Sequence, residues 1–464
     1  MKGIAMEDGV KLSSDDIHVD PVAFTLRTAT SGIPEATRRR AAFLFLDTIG
    51  VCIAATKIEA GQIARETAVR FYSTSTPDDA ATLLFDGRKA SIPGAAFGAA
   101  SQIDNLDAHD GFNPVKGHIG VALVPSLAAI AENIPNLRGD DALAALVIGY
   151  EVAGRSGLAL HATVSDYHTS GSWNALGAAA MAARLRGVPD TTLRHALGIA
   201  EYHGPRSQMM REIANPTMLH DGSGMGAFVG LSSLLMAEMG FIGAPAITVE
   251  ADEASEYWAD LGDVWQTDVQ YIKPYPICRW AHAPIDAARE LCQSHGVTAE
   301  DVIGIRIASF QNAVQLFPGM PDTTSEAQYS LPYAVAKMII NGRIGVEDIT
   351  GDALSDPVTA RLVAATEMVT SAEHEANFPA GRSADVTLTL KSGEVLASGF
   401  VEARGGPDRP YSEADIVEKY MDYAVPVIGN ERATSIFQAT LALCDENGCF
   451  ADLAALMSAP AEQK

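Results

Sequence analysis

The sequence contains few cysteines and few basic residues, and each shortage excludes a class of protein. Five cysteines occur in 464 residues, an odd number without a CxxC pair, so the sequence predicts reduced thiols rather than a disulfide framework or a zinc site. Lys and Arg total 33 against 58 Asp and Glu, which gives a formal net charge of −25. Because this charge would repel phosphates, no nucleic-acid partner is expected. A small anionic substrate stays possible, since salt screens distant charges from a local cationic pocket.

Targeting segments and nucleotide-binding motifs are lacking as well. The first residues, MKGIAMEDGVKLSSDD, contain no apolar core of a signal peptide, and no uninterrupted apolar run reaches membrane-spanning length. There is no Walker A sequence, no HExxH and no GxSxG, and no GxGxxG stands between a strand and a helix. We therefore expect a cytoplasmic protein without a membrane partner.

What is present is a globular composition with long Ala-rich helical patterns. Hydrophobic residues make up 47% of the chain and charged residues 20%, and the length allows two to three domains. Apolar residues recur at helical spacing in eight runs, and Pro34 stands at the start of the first. The runs cover residues 33–55, 61–72, 92–103, 121–132, 140–161, 172–185, 193–200 and 223–239. They predict an all-helical domain that packs closely through small side chains.

The pattern changes near residue 265, where strand signals begin. Residues 302–309, VIGIRIAS, alternate in the period of a strand, and a hairpin that turns at residues 391–393 is predicted from residue 385 onward. A helix over residues 329–340 lies between them. Strands mixed with helices indicate a smaller α+β domain.

The last part of the chain is predicted to return to the helical domain. Ser412 and Asp415 form a capping box for a helix through Tyr420. The predicted fold is therefore mainly α, with a large helical domain at residues 1–268 and 410–464 and a smaller α+β domain at residues 269–409. The polar start of the chain, to about residue 20, is predicted to be frayed.

One stretch, residues 101–120 with the sequence SQIDNLDAHDGFNPVKGHIG, gathers acids and bases between two apolar runs. Its titratable residues are Asp104, Asp107, His109, Asp110, Lys116 and His118. Gly111, Asn113 and Pro114 break the stretch into a loop. Acids and bases where two buried helices meet a loop predict a functional site, and the alternative is a solvated loop.

Other candidates stand in loops beside glycines or at the domain crossing. His168 in SDYHTSGSW can act as a base or can be a structural histidine. His220 in PTMLHDGSGMG precedes a helix whose N-terminus can hold a carboxylate, unless Ser223 merely caps it. Lys273 and Arg279 in KPYPICRWAH offer charge for an acidic substrate, although Arg279 can instead bridge the two domains. Tyr333 in AQYSLPYAVA is a hydrogen-bond donor for an enolate or a packing residue.

Taken together and in this order, these segments resemble a known family. LDTIGVCIAA, the D-x-x-D…K-G-H-x-G stretch, YHTSGSWNALGAAAMAARLRG, PTMLHDGSGMGA, KPYPICRWAH and AQYSLPYAVA resemble the MmgE/PrpD family. That family includes 2-methylcitrate dehydratase, cis-aconitate decarboxylase and iminodisuccinate epimerase. The resemblance implies a homodimer and chemistry without a cofactor or metal, at the α-carbon of a di- or tricarboxylate bound between the domains.

The resemblance also implies roles for individual residues. The positions that match the family's catalytic residues are Asp104, His118, His168, Lys273 and Tyr333. The predicted substrate-binding residues are Asp107, Lys116, His220 and Arg279. For an epimerase, His118 and His168 would serve as two bases on opposite faces of the carbon, and Lys273, Arg279 and Tyr333 would stabilise the enediolate.

Two departures from the family pattern guide the choice of reaction. Decarboxylase and methylcitrate-type members carry D-D-T where this chain has Asp107, Ala108 and His109, and they carry a lysine in the segment where Thr217 or His220 stands. The sequences GFNPVKGHIG and PTMLHDGSGMGA are more similar to the iminodisuccinate epimerase branch. The sequence therefore predicts a cofactor-independent epimerase, with a 2-methylcitrate dehydratase or a cis-aconitate-type decarboxylase as the alternative.

Two hypotheses from other classes stay open. In a metal-dependent hydrolase, His109 and Asp110 would form a metal-binding pair completed by Asp104 or Asp107 and a distant histidine. In a non-catalytic helical dimer, the acidic surface would bind partners. The loop histidines beside Lys and Arg favour an enzyme over the second hypothesis.

Overall fold

The computed structural model describes residues 20–461 and has a helical domain and a smaller domain that contains a sheet. The helices before the second domain are α1 (Pro21–Arg27), α2 (Glu35–Ala54), α3 (Glu59–Phe71), α4 (Ile92–Asp104), α5 (Gly120–Ala131), α6 (Gly139–Thr163), α7 (Gly171–Arg186), α8 (Asp190–His203), α9 (Met209–Ala214), α10 (Ser223–Glu238) and α11 (Ile247–Glu250). A short hairpin of β1 (Ala80–Thr82) and β2 (Lys89–Ser91) precedes α4. The prediction of a frayed start falls almost entirely on residues outside the described range.

The predicted close packing through small side chains is confirmed. On α7, a Cβ added at Gly177 would lie 2.6 Å from the Cβ of Ala153 on α6, which is closer than two carbon atoms can approach. On α2, a Cβ at Gly50 would lie 3.0 Å from the ring of Tyr420. Glycine and alanine therefore allow the helix axes to come near each other, and the apolar side chains around them form one continuous core.

Taken singly, α6 is the one helix among residues 20–461 that is long and apolar enough to cross a membrane. Of its most apolar 18-residue window, 94% is buried inside the protein. Glu151 and Arg155 interrupt the apolar sequence and form a buried ion pair at 3.4 Å. Such burial is found in the core helices of globular proteins.

The second domain contains a sheet with helices packed against it. Its elements are α12 (His282–His295), β3 (Val302–Ser309), α13 (Gln311–Val314), α14 (Thr324–Gln328), α15 (Leu331–Asn341), α16 (Pro357–Ala364), β4 (Thr366–Thr370), α17 (Ala372–Asn377), β5 (Ser383–Leu390), β6 (Val395–Ala397) and β7 (Val401–Glu402). The strand order is β4-β3-β5-β6, and β7 also pairs with β5. The predicted hairpin of β5 and β6 is confirmed, with Leu388 opposite Leu396.

Strand β4 was not predicted, and it pairs in parallel with β3 at the edge of the sheet. Its sequence, TEMVT, is only half-buried and has no alternating apolar face. An edge strand of this kind is held by main-chain hydrogen bonds to its neighbour, so the sequence carries little sign of it.

The chain then returns to the first domain. The predicted capping box is confirmed, because Ser412 and Asp415 each bind the other's main chain at the start of α18 (Glu413–Ile428). Helix α18 runs past the predicted end at Tyr420 and packs along α2. Two further helices, α19 (Asn430–Ala442) and α20 (Phe450–Ser458), complete this part. All five cysteines are free thiols, as predicted.

Candidate active site

The loop between α4 and α5 lies at the centre of the site. Helix α4 ends at Asp104, and α5 begins at Gly120, where a Cβ would lie 2.2 Å from the hydroxyl oxygen of Tyr150. Glycine at this position therefore lets Tyr150 reach the loop, where its hydroxyl donates to Asp110 Oδ2 at 2.8 Å. The whole segment from Ile103 to Phe112 is buried, so the alternative of a solvated loop is wrong.

The N-terminus of α10 holds a carboxylate, but that carboxylate belongs to the protein. The main-chain N–H of Ser223 donates to Asp104 Oδ2 at 2.9 Å. The N-cap residue is Gly222, with φ 65, and not Ser223. Because Asp104 already occupies this terminus, the terminus anchors the loop to α10 instead of receiving a substrate.

Lys273 connects the domain crossing to the loop. Its side chain is fully buried, and Nζ donates to the main-chain oxygen of Asp107 at 3.0 Å and also to the Asp107 carboxylate. Burial raises the pKa of Asp107 to about 6, although Lys273 opposes the shift. Asp107 has φ 54, a left-handed conformation that is strained for a residue other than glycine. Lys116 has φ 55 and is strained in the same way.

His118 is held in one orientation with its Nε2 directed to the cavity. Its Nδ1 lies 2.6 Å from the main-chain oxygen of Asp110, so Nδ1 carries the hydrogen and Nε2 is a free base. Burial, followed by the charge of Lys273, holds the pKa of His118 well below its ordinary value. Asp221 Oδ2 lies 3.9 Å from Nε2, and the other Asp221 oxygen accepts from Ser170. A neutral histidine beside a buried carboxyl is suited to move a proton.

Three buried carboxyl groups around His118 hold protons more tightly than usual. Burial raises the pKa of Asp104 strongly, and the neighbouring Asp221 adds to the effect. Burial also raises the pKa of Asp221, and it raises that of Asp110 to about 7. At neutral pH the site can therefore retain protons on carboxyl groups.

Asp110→Asn should reveal this raised pKa in the stability of the protein. The folded pKa of about 7 exceeds the ordinary 3.8, so between these values the folded state binds more protons and stability falls as pH rises. Asn resembles the protonated acid and does not titrate, so this loss of stability with rising pH is absent from the variant. In urea unfolding, the variant should gain about 2 to 3 kcal/mol relative to wild type between pH 5 and pH 8. Asp263→Asn, an exposed control, should show no such trend, and a pH-independent difference for Asp110→Asn would contradict the prediction.

A cavity of ≈ 30 Å³ lies between the loop and the second domain. Its lining residues are Asp107, Lys116, His118, Tyr167, Met209, Ile213, Asp221, Tyr271, Lys273, Cys278, Arg279, Trp280, Tyr329 and Arg382. They come from both domains. The volume holds about one or two water molecules.

Three of the cations at this cavity, Lys116, Arg279 and Arg382, form no ion pair with a carboxylate within the described residues. Arg279 Nη1 donates to the main-chain oxygen of Arg404 at 2.6 Å, and its guanidinium stacks on Tyr271 at 4.4 Å. The alternative of a salt bridge from Arg279 across the domains is therefore wrong. Arg279 and Arg382 are buried, and Lys116 is half-buried. Cations held away from solvent without counter-charges form a site for an anion.

Tyr333, predicted as a donor to an enolate, lies away from the cavity. Its hydroxyl oxygen is 2.7 Å from the main-chain oxygen of Asp348 and 2.9 Å from that of Ala353. This is the packing alternative, in which the hydroxyl is already bound. Tyr329 lines the cavity in its place.

Two predicted histidines also lie outside the cavity lining. His168 pairs through its main chain with Gln208, and its ring stacks on His161 at 6.5 Å. His220 is buried, has φ 46, and its ring centroid lies 5.7 Å from that of Tyr329. Among residues 20–461, neither of its ring nitrogens has a hydrogen-bond partner. Neither histidine contacts the space that His118 faces, so the predicted pair of bases on opposite sides of one carbon is not formed.

Sequence reasoning missed Arg382, Tyr271 and Tyr329, and it treated Asp221 only as part of a turn. Arg382 lies between α17 and β5, in the segment PAGRS, and no motif or periodicity distinguishes it. Asp221 carried a weak signal, because it directly precedes the glycine turn into α10. Spatial proximity to His118 alone identifies these residues.

The pair of His109 and Asp110 does not form a metal-binding set. His109 Nε2 lies 3.6 Å from Asp104 Oδ1, whereas the Asp110 carboxylate binds Tyr150 and the main-chain N–H of Gly120. Within residues 20–461, no three His, Cys, Asp or Glu side chains converge as metal ligands. The ligand arrangement required by the hydrolase hypothesis is thus absent from this part of the chain.

Comparison with known proteins matches two family models to most of the chain. The MmgE/PrpD N-terminal domain matches residues 22–256, and the MmgE/PrpD C-terminal domain matches residues 275–443. Cis-aconitate decarboxylase from Homo sapiens is 24% identical over 89% of this chain and 88% of its own length. The enzyme of the same name from Mus musculus is 24% identical over 92% and 90%, and that from Aspergillus terreus is 21% identical over 89% and 90%. The family predicted from the sequence is confirmed: the chain belongs to the MmgE/PrpD family.

Proposed function

We propose that this protein is a cofactor-independent lyase that decarboxylates a small tricarboxylate of the cis-aconitate type. The observation that carries the proposal is the set of Lys116, Arg279 and Arg382, three cations that pair with no carboxylate of residues 20–461, around the Nε2 of His118. A tricarboxylate supplies the missing negative charges. The names of the related decarboxylases support the same reaction.

The chemistry requires one proton donor and stabilisation of negative charge. The carboxylate leaves from a carbon next to the carbon–carbon double bond: its C–C bond breaks, CO₂ departs, and the electron pair forms a new double bond. The electrons of the old double bond move to the adjacent α-carbon, which becomes an enediolate. His118 takes up a proton from solvent at Nε2 when the anion binds and delivers it to that carbon. The Asp221 carboxyl, 3.9 Å from Nε2, can then return a proton to the histidine. Lys273 and the arginines stabilise the enediolate.

Substrate binding must widen the cavity, because ≈ 30 Å³ is far below the usual size of a ligand pocket. The lining divides between the domains: Lys116, His118 and Asp221 precede the domain crossing, whereas Tyr329 and Arg382 follow it. Separation of the two sets opens the cavity, and closure then excludes water from the reaction.

Epimerisation of a dicarboxylate is the second candidate, and His109 and Thr217 favour it. The decarboxylase-type pattern has a threonine where His109 stands and a lysine in the segment of Thr217, whereas His109 has no hydroxyl and Thr217 binds the side chain of Glu212 at 2.8 Å. Against this candidate, an epimerase with two bases needs a partner for His118, and His168 does not line the cavity.

Proton NMR in D₂O distinguishes these reactions. The enzyme is incubated with cis-aconitate, citrate, 2-methylcitrate and the stereoisomers of iminodisuccinate. Decarboxylation of cis-aconitate should give two new vinyl signals, deuterium at the α-carbon and release of CO₂. Deuterium exchange with stereochemical scrambling and no CO₂ would establish the epimerase instead. Absence of any reaction with all four acids would refute both.

Arg382→Gln should weaken substrate binding more than it slows the chemical step. Loss of one charge-assisted contact to a carboxylate corresponds to about 1.5 to 3 kcal/mol, so KM should rise by about 10- to 100-fold while kcat changes less. Arg306→Gln on β3 is the matched control in the same domain, because Arg306 is exposed. Steady-state kinetics with cis-aconitate measure both variants, and an unchanged KM for Arg382→Gln would remove Arg382 from the anion site.

The proposed enzyme is a cytoplasmic homodimer without nucleic-acid or membrane partners. The net charge of −25 and the burial of α6 support the absence of these partners. Light scattering after size exclusion should give about twice the chain mass of 48.9 kDa. A mass equal to that of one chain would refute the dimer.

A further inference from the structure

Ser170 stands at the N-cap of α7 but does not cap this helix with its side chain. A serine at an N-cap usually accepts a hydrogen bond from the second or third main-chain N–H of its helix. Ser170 makes no such bond, and its own backbone is helical, with φ −59 and ψ −32. Its side chain is fully buried. The hydroxyl therefore serves groups outside its own helix.

The hydroxyl of Ser170 lies between two residues of the catalytic site. It accepts from the main-chain N–H of His118 at 3.0 Å and donates to Oδ1 of Asp221. Gly117 allows this contact, because a Cβ there would lie 2.5 Å from Ser170 Oγ. The main-chain N–H of Gly171 also donates to the main-chain oxygen of Asp221, at 3.0 Å. The start of α7 thus holds both His118 and Asp221, although Ser170 itself does not line the cavity.

These two hydrogen bonds fix the direction of the Ser170 hydroxyl. An N–H can only donate, so Oγ must accept from His118, and the single hydrogen of the hydroxyl goes to Oδ1 of Asp221. When Asp221 is protonated, its own hydrogen lies on Oδ2, because a hydrogen on Oδ1 would leave the Ser170 hydroxyl without an acceptor within residues 20–461. Oδ2 is the oxygen that lies 3.9 Å from His118 Nε2.

Asp221 shares its surroundings with other acids and bases. Those near it are Asp104, Asp107, His118, Glu212 and Lys273. Burial raises the pKa of Asp221, whereas the hydrogen bond from Ser170 and the charge of Lys273 oppose this rise. A hydrogen bond to the charged form of a carboxyl favours that form, so loss of the Ser170 hydroxyl should raise the pKa of Asp221 further.

We propose that Ser170 is a positioning residue that keeps the proton of Asp221 on the oxygen facing His118, from which the histidine regains its proton. In this step the O–H bond at Oδ2 breaks and an N–H bond forms at Nε2. Asp221 then takes a proton from solvent when the cavity opens. The effect on turnover rests on the proposed decarboxylation, in which His118 gives up one proton per cycle. The orientation of the Asp221 carboxyl follows from the hydrogen bonds alone.

Titration of Asp221 tests the bond from Ser170 without turnover. The protein is labelled with ¹³C at the aspartate carboxyl carbons, and Asp221→Asn identifies the NMR signal. In Ser170→Ala the midpoint should rise by about 1 to 2 pH units, as expected for loss of a hydrogen bond to a charged group. Ser172→Ala is the matched control, because this buried serine of α7 donates only to the main-chain oxygen of Thr169, and its midpoint should equal that of wild type. An unchanged midpoint in Ser170→Ala would overturn the proposal.

Steady-state kinetics with cis-aconitate test whether Ser170 acts through Asp221. Ser170→Ala should lower kcat at least about tenfold and leave KM within about twofold, because Ser170 does not line the cavity. In the Asp221→Asn background, the same substitution should change kcat by less than about twofold. An equal loss of kcat in both backgrounds would show that Ser170 only supports the loop, and would overturn the proposal.

Ser170→Cys is the second variant, and it decides the question if Ser170→Ala does not fold. Cysteine keeps the shape of serine but donates weakly. Its Asp221 midpoint should therefore lie above that of wild type and its kcat below, and wild-type values for both would overturn the proposal. Absence of turnover by the wild-type enzyme would refute the proposed decarboxylation, and the titration would then decide the role of Ser170.

Discussion

Replacing His118 with Ala should lower kcat for cis-aconitate by about 10²- to 10⁴-fold, the usual contribution of a positioned acid or base. His118 is the histidine whose free Nε2 faces the cavity, and its Nδ1 hydrogen bond to Asp110 at 2.6 Å fixes the ring. The effect should appear in kcat, because the proton is transferred in the transition state and not in the bound substrate. Steady-state kinetics and the release of CO₂ measure it.

Controls for this variant separate chemistry from folding. His295→Ala, at the exposed end of α12, should keep kcat within about twofold, since surface changes away from the site rarely matter. The melting temperature of His118→Ala should show that the variant is folded. A kcat within about tenfold of wild type would mean that His118 does not transfer the proton.

His168→Ala separates the two proposed reactions. His168 lies outside the cavity lining, and a decarboxylase with one donor requires only His118. A loss as large as that of His118→Ala, together with deuterium exchange and no CO₂, would favour the two-base epimerase.

Lys273→Met should affect both turnover and stability. Loss of a preorganised cation at the enediolate should lower kcat by about 10²- to 10³-fold. The substitution also leaves Asp107 buried without its partner, which costs about 3 to 5 kcal/mol when the carboxylate stays charged. Urea unfolding and steady-state kinetics measure the two effects separately.

The stability lost in Lys273→Met should increase with pH. Burial raises the folded pKa of Asp107 to about 6 even with Lys273 present, and removal of the lysine raises it further. Below the folded pKa the carboxyl is neutral and its burial costs less. The loss of stability in Lys273→Met should therefore be smaller at pH 5 than at pH 8.

The double variant Asp107→Asn with Lys273→Met is the decisive control. It removes both charges of the pair, so most of the lost stability should return. Turnover should not return, because the cation at the enediolate is still missing. Recovery of turnover would show that Lys273 acts only by compensating Asp107.

The local sequence predicted much of the fold because most elements carry their own signals. The capping box of Ser412 and Asp415 starts α18, and the apolar alternation of β5 fits a buried face. Strand β4 escaped prediction because its hydrogen bonds to β3 hold a half-exposed edge that has no such pattern.

In the candidate site, too, some residues carry a sequence signal and others do not. Tyr329 and Tyr333 are four residues apart in one motif, yet Tyr329 is the C-cap residue that ends α14, whereas Tyr333 lies inside α15, which begins after Ser330. Only Tyr329 reaches the cavity, and no sequence pattern distinguishes the two hydroxyls. Arg382 is an isolated arginine before β5, and the fold of the second domain brings it to the catalytic loop.

The sequence by itself determined the family, the mainly α fold and the chemical character of the loop at residues 101–120, because these depend on residue types at short spacing. Only the tertiary structure decided which groups act together. Lys273 meets Asp107 across 166 positions of the chain, and Asp104 takes the helix terminus that a substrate would otherwise use. Such contacts depend on how buried surfaces pack, and burial also sets the proton affinities of Asp107, Asp110 and His118.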